Sequence, residues 1–141
     1  MSLHGKKIIV FGAAGRLGKE LVPMLVKAGA TVYAPPRKDV DITFDVWYYI
    51  FEKKADIVVN LVAFTNVSKA QKDEYRAECA KLNIIGNRCV CVASHSLAAK
   101  VVYISTDYVY PGTDGEYSVG MECPSTNYAI DLSAPQPCGI N

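Results

Sequence analysis

Four short apolar runs, each separated from the next by a segment long enough for a helix, constrain this chain more than any other feature. They are KIIVF at residues 7–11, ATVYA at 30–34, DIVVNLV at 56–62 and VVYIS at 101–105. Runs of this kind, rich in Val and Ile and without an alternating polar face, suit strands buried on both sides. Alternating with helical stretches, they predict an α/β fold: a Rossmann-type parallel sheet with crossover helices, incomplete on its C-terminal side. A chain of 141 residues has the length of one such domain.

The helical stretches differ in character. After the first strand, Leu17, Leu21, Met24, Leu25 and Ala28 recur at helical spacing, and Gly29 suits the C-terminal cap. Pro23 lies inside that helix and predicts a kink or a local loss of pairing. Residues 44–54 carry Val46, Trp47, Tyr48, Tyr49, Ile50 and Phe51, a helix apolar nearly all round. That pattern predicts burial on more than one side. Helices are expected over 67–72 and 74–99. Beyond Thr106 the alternation stops, and Pro111, Gly112, Gly120 and Pro124 mark turns. The expected division is a nucleotide-binding domain over 1–130 and an irregular tail over 131–141, where Pro135 and Pro137 prohibit a helix.

Charge and cysteine usage narrow the function classes. Lys+Arg number 15 and Asp+Glu 14, so no strongly basic surface is implied and nucleic acid is not an expected partner. No apolar run approaches the roughly 20 residues of a membrane-spanning helix, and no membrane association is expected. Five cysteines, an odd count without a CxxC, and only His4 and His95 argue against a metal site. They fit a reducing compartment, so a cytoplasmic location is expected.

The first strand runs directly into Gly12, Gly15 and Gly18, a GxxGxxG that opens the first helix. The first glycine permits a tight turn, the second lets backbone amides approach a pyrophosphate, and the third allows close helix–strand packing. The helix N-terminus adds partial positive charge at the same place. In this strand–turn–helix context the expected ligand is a dinucleotide. A fold of this kind usually places an acidic residue after the second strand, on the adenosine ribose. Here Pro35, Pro36, Arg37 and Lys38 follow instead. Arg37 and Lys38 either pair a 2′-phosphate, which would tilt the cofactor from NAD toward NADP, or stand as solvated surface cations.

Further strings coincide in chain order: Asp41-Ile42-Thr43; Asn60 through Ala63, Phe64 and Thr65; Val67 with Lys69 and Ala70; Asn83 with Gly86; and Ser105-Thr106-Asp107-Tyr108-Val109-Tyr110 with Gly112-Thr113. Together with the glycine loop they resemble the extended short-chain dehydrogenase/reductase family. Within it the chain is most similar to the dTDP-4-dehydrorhamnose reductases, which reduce a 4-keto nucleotide sugar with NAD(P)H. The resemblance covers residues 6–129, corresponding to the N-terminal half of a complete family member. It implies that Gly12, Gly15 and Gly18 meet the pyrophosphate, with Arg16 and Leu17 also binding the cofactor, that Arg37 lies near the adenosine phosphate, and that Asp41 and Ile42 lie near adenine. Ala63, Phe64 and Thr65 would run along the ribose and nicotinamide, with Asn83 behind them as a backbone organiser. Thr106 matches the catalytic hydroxyl and Tyr128 the catalytic tyrosine.

A free phenol ionises near pH 10 and needs help to act as a proton donor near neutrality. In the family that help comes from a lysine four residues on, one helical turn away. Here the position holds Leu132; a one-residue slip gives Ala129 and Ser133, and no lysine follows Lys100. The expectation is therefore the NAD(P)-binding part of a nucleotide-sugar oxidoreductase, with a nucleotide sugar or no second ligand as partner and with weak or absent turnover. The alternatives are a non-catalytic cofactor-binding regulatory or interaction module and a truncated gene product. Self-association is expected, if anywhere, at the open sheet edge or the aromatic helix.

Overall fold

In the computed structural model, which describes residues 3–105, each apolar run supplies one strand. They are β1 (Lys7–Phe11), β2 (Thr31–Tyr33), β3 (Ile57–Asn60) and β4 (Lys100–Tyr103). All pairings are parallel, in the order β2-β1-β3-β4. Ile8 sits beside Val32 on one side and Ile57 on the other. The helices are α1 (Arg16–Lys27), α2 (Val46–Lys53), α3 (Val67–Ala70), α4 (Asp73–Ala80) and α5 (Asn87–Ser96), with a π-helical turn, Lys81–Gly86, joining α4 to α5.

Side chains on a strand point alternately to its two faces, and β1 uses both. Ile8 and Val10 pack with Val59 and Ala30 beneath α1, against Leu21, Val22 and Leu25. Ile9 and Phe11 pack with Val58 on the opposite face, against Val46 and Ile50 of α2 and Val90 and Ala93 of α5. Two cores therefore sandwich one sheet, and the four residues from Ile8 to Phe11 are at most 2% exposed. The chain first winds outward from β1 to β2, then crosses back to β3 and β4. Strand order reverses between β1 and β3, the place where open α/β sheets form a crevice at the strand C-termini.

Several expectations change. The aromatic helix does not bury more than one side. Val46 and Ile50, one turn apart, are buried, while Trp47, Tyr48 and Phe51 are 37%, 66% and 54% exposed. An eight-residue helix over a single sheet face offers only one stripe to the core. Its outer face is organised laterally instead: the Trp47 and Phe51 rings stack at 5.3 Å, and Trp47 Nε1 donates to Ser96 Oγ at 3.2 Å. The helix expected over 74–99 is divided by the π-helical turn. Helix α1 runs through Pro23 unbroken, so the cost is the one backbone donor that proline lacks.

The burial pattern makes opposite demands at neighbouring positions of α2. Ile50→Ala should cost about 2–5 kcal/mol by removing core volume, and Tyr48→Ser should stay within about 0.5 kcal/mol. Urea denaturation of both variants checks this; comparable losses would place Tyr48 in the core.

Candidate functional site

A cleft of about 330 Å³ opens at the C-terminal ends of β1, β2 and β3. Its floor is the glycine loop, residues 12–15, one wall carries Pro35, Pro36, Arg37 and Asp41, and the other carries Leu61, Val62 and Ala63. Phe11, Val40, Ile42 and Leu82 complete its lining. The strand-order reversal and the turn leaving β1 put these three segments side by side.

Two glycines shape the floor. Gly12 has φ of +81°, in the left-handed region, and a Cβ there would stand 3.0 Å from the Leu61 carbonyl carbon. Gly18 lies one turn into α1, where a Cβ would come within 2.4 Å of the Ala13 Cα and 2.5 Å of its carbonyl oxygen. The helix thus presses directly on the loop backbone, and only a residue without a side chain permits that approach. Helix α1 starts without a side-chain cap and without an acidic residue in its first turn. Its N-terminal partial positive charge is left for whatever enters the cleft. Arg16 and Leu17 belong to that first turn and are exposed; neither they nor the buried Gly18 line the cleft.

The wall that carries Arg37 and Asp41 is organised locally. The Asp41 carboxylate accepts from the Thr43 backbone N–H at 2.9 Å and from the Thr43 hydroxyl at 2.7 Å, an Asx-type turn that fixes the loop before α2. These two bonds, and more weakly Lys81 and Arg37, hold the Asp41 carboxyl below its usual range despite partial burial. A depressed folded-state pKa means that the stabilisation is complete above the unfolded value of 3.8 and is lost as pH falls through the lower folded value. Asp41→Asn should therefore lower stability at neutral pH, without changing its slope with pH there, and flatten the acid limb of the curve below about pH 4. Acid titration of both proteins by circular dichroism reads this out, and an unchanged acid limb would contradict it. Ile42 is buried beneath the loop, and a Cβ at Gly86 would meet its Cδ1 at 2.7 Å, so the π-helical turn packs against this wall.

The opposite wall leaves β3 at Asn60. Val62 and Ala63 face the cleft, whereas Phe64 turns away, its ring 6.2 Å from that of Tyr75. Asn83 clamps the Phe64 backbone from both sides: its Oδ1 accepts from the Phe64 N–H at 2.7 Å and its Nδ2 donates to the Phe64 carbonyl at 3.2 Å. Thr65 is exposed beyond the clamp. Of the residues expected from the sequence, Gly12, Gly15, Arg37, Asp41, Ile42 and Ala63 share the cleft, and Phe64 and Asn83 stand behind its wall. Thr106 and Tyr128 lie outside the described residues.

Sequence reading missed Val40 and Leu82 as cleft-lining residues, and Asn60 and Asn87 behind the wall. Asn60 had a visible signal, a single amide in an otherwise apolar strand; Val40 and Leu82 had none beyond their hydrophobicity. A second cavity of about 230 Å³, lined by Ile50, Phe51, Lys54, Ala55 and Leu97, is mostly apolar and brings no reactive groups together. Among the described residues no cluster of three or more His, Cys, Asp or Glu is placed to hold a metal ion, and no helix is long and apolar enough to cross a membrane.

Comparison with known proteins places this geometry. Residues 6–130 match the family described as RmlD substrate binding domain. A dTDP-4-dehydrorhamnose reductase of Streptomyces griseus is 38% identical over 109 residues, 76% of this chain and 35% of that protein. The spore coat polysaccharide biosynthesis protein SpsK of Bacillus subtilis is 38% identical over 108 residues, 75% of this chain and 38% of the relative. Among solved structures, the Bacillus anthracis dTDP-4-dehydrorhamnose reductase in complex with NADP superposes with a TM-score of 0.73 at 37% identity, over 82% of this chain and 40% of that one. A Clostridium acetobutylicum orthologue gives 0.74 at 35% identity, over 82% and 41%. The chain thus spans well under half the length of these relatives. The match over nearly all of the sequence, together with the four-stranded Rossmann-like sheet, shows that the chain belongs to the RmlD substrate binding domain family.

Proposed function

We propose that the chain binds NADP(H) in the cleft above Gly12 and is the cofactor-binding part of a nucleotide-sugar oxidoreductase of the dTDP-4-dehydrorhamnose reductase type. The observation that carries this reading is the fit of floor to ligand. A helix start without side-chain cap or acidic residue opens onto the glycine loop, where Gly12 takes the left-handed φ of a tight turn and Gly18 lets α1 press on the Ala13 backbone, the strand–turn–helix arrangement that receives a pyrophosphate. Arg37 on the cleft wall, with no carboxylate ending β2, favours NADP over NAD.

The domain would occupy residues 1–130, with 131–141 as a tail. Val62 and Ala63 would flank the nicotinamide half, and Gly12, Gly15 and the first turn of α1 the phosphates. When bound, the reduced nicotinamide supplies a hydride to a carbonyl carbon. Thr106 would hold the carbonyl oxygen by hydrogen bonding, and Tyr128 would donate the proton that completes the alcohol. The family's lysine position holds Leu132, so the Tyr128 phenol would lack the lysine that assists it in the family. Slow or absent turnover follows, and this residue also favours the second reading, a cofactor-binding module without catalysis.

The support for a cytoplasmic location is the odd cysteine count without a CxxC. Surfaces offered for self-association among the described residues are the outer edge of β4 and the aromatic face of α2. Oxidation of NADPH in the presence of a dTDP-linked 4-keto-6-deoxy sugar separates the two readings. Turnover abolished by Thr106→Val and by Tyr128→Phe establishes the enzyme; NADPH binding without turnover establishes the module.

A further inference from the structure

We infer that Asn87 is a positioning residue of the cofactor cleft: a chain of three asparagine side chains, Asn87, Asn60 and Asn83, holds the wall at residues 61–64. The inference rests on the cofactor reading above and adds to it two residues, Asn60 and Asn87, that do not themselves line the cleft.

The polar chain lies within an apolar core. Asn60 is 1% exposed and Asn87 is 4% exposed, at the end of β3 and the start of α5. Burying a carboxamide is costly unless its donors and acceptors are satisfied. Here Asn60 Nδ2 donates to Asn87 Oδ1, and Asn60 Oδ1 accepts from the Val62 N–H at 3.1 Å. Asn87 Nδ2 in turn donates to the backbone carbonyl of Asn83 at 2.8 Å. The Asn83 side chain then grips Phe64 at both its N–H and its carbonyl.

Beyond Leu61, whose N–H still donates to the Phe11 carbonyl at 3.0 Å, the wall leaves the sheet ladder. Its backbone is held instead by side-chain amides at Val62 and Phe64, on either side of Ala63. Asn87 joins the two anchors, reaching one through Asn60 and the other through Asn83. The π-helical turn contributes by carrying Asn83, whose carbonyl meets the Asn87 side chain.

The position demands a carboxamide. Asn87 accepts and donates at once; an ionised aspartate of the same shape only accepts, and leucine does neither. The glycine loop and Arg37 take no part in this chain. Its loss should therefore be felt in the half of the cleft lined by Val62 and Ala63, and not at the adenosine phosphates.

The test titrates the full chain and its Asn87→Asp and Asn87→Leu variants with two probes: NADPH, and adenosine 2′,5′-bisphosphate, which lacks the nicotinamide half. Both variants should bind NADPH about 10-fold more weakly, as loss of a buried hydrogen-bond partner implies, and should hold the bisphosphate within about 2-fold. Equal weakening of both probes would reduce Asn87 to a general stability role, and no change in either would remove its role; each overturns the proposal. Native-state hydrogen exchange of the unaltered chain tests the same network without a variant. The Val62 and Phe64 amides should be protected like those of β3, and exchange at unprotected loop rates would overturn the proposal. If the unaltered chain binds neither probe, the cofactor reading fails, and the exchange measurement alone decides whether the asparagine chain holds the wall.

Discussion

Gly18→Ala should destabilise the protein, although the residue lies inside a helix, where alanine is intrinsically better than glycine by about 1 kcal/mol. Packing opposes propensity here and is larger. The added Cβ would stand 2.4 Å from the Ala13 Cα and 2.6 Å from its carbonyl carbon, backbone atoms that no rotamer change can move aside. Overpacking a close contact costs about 1–3 kcal/mol or more, and a contact this short belongs at the upper end. A net loss of about 2 kcal/mol lowers the melting temperature by roughly 7 °C for a domain of this size. Helix α1 can relieve the contact only by moving away from the loop that it presses on, so NADPH affinity should fall at least about 10-fold in parallel. A rise in melting temperature would mean that propensity wins and that α1 does not bear on the loop.

Arg37→Ala should separate the two nicotinamide cofactors. Arg37 lines the cleft wall after Pro35 and Pro36, and its charge is not neutralised by a carboxylate at the end of β2. Hydrogen bonds to a charged group contribute about 1.5–3 kcal/mol, so NADPH should bind roughly 10- to 100-fold more weakly to the variant. NADH, lacking the 2′-phosphate, should change by no more than about 2-fold. Parallel calorimetric titrations read both. Equal loss for the two cofactors would place Arg37 against a part they share, and no loss for either would make it a solvated surface cation.

Much of the fold is legible in the sequence because parallel strands are buried on both faces. Residues such as Ile8, Ile9, Val10 and Phe11 must then all be apolar, and the run announces itself. The glycine loop is legible for a related reason: Gly12 takes a left-handed φ and Gly18 packs on Ala13 only five residues before it, so both carry local signals. Asp41 also carries a local signal, since its bonds to Thr43 span two residues.

What could not be read depends on distant partners. Nothing within α2 distinguishes Ile50, which faces the sheet, from Phe51, which faces outward; only the direction of the neighbouring layer decides. The π-helical turn has no composition of its own, and its place is set where Asn83 and Gly86 meet the wall at Phe64 and the loop at Ile42. Asn87 is the extreme case. Its partner Asn60 is 27 residues away, and the pairing exists only because α5 lies along β3.

The central claim is that the cleft above Gly12 takes a dinucleotide, and isothermal titration of the full chain with NADPH, followed by thermal unfolding with and without the cofactor, tests it most directly. The account predicts saturable heat with one NADPH per chain, a higher melting temperature with cofactor present, and weaker binding of NADH. No heat and no thermal stabilisation by either cofactor would contradict it.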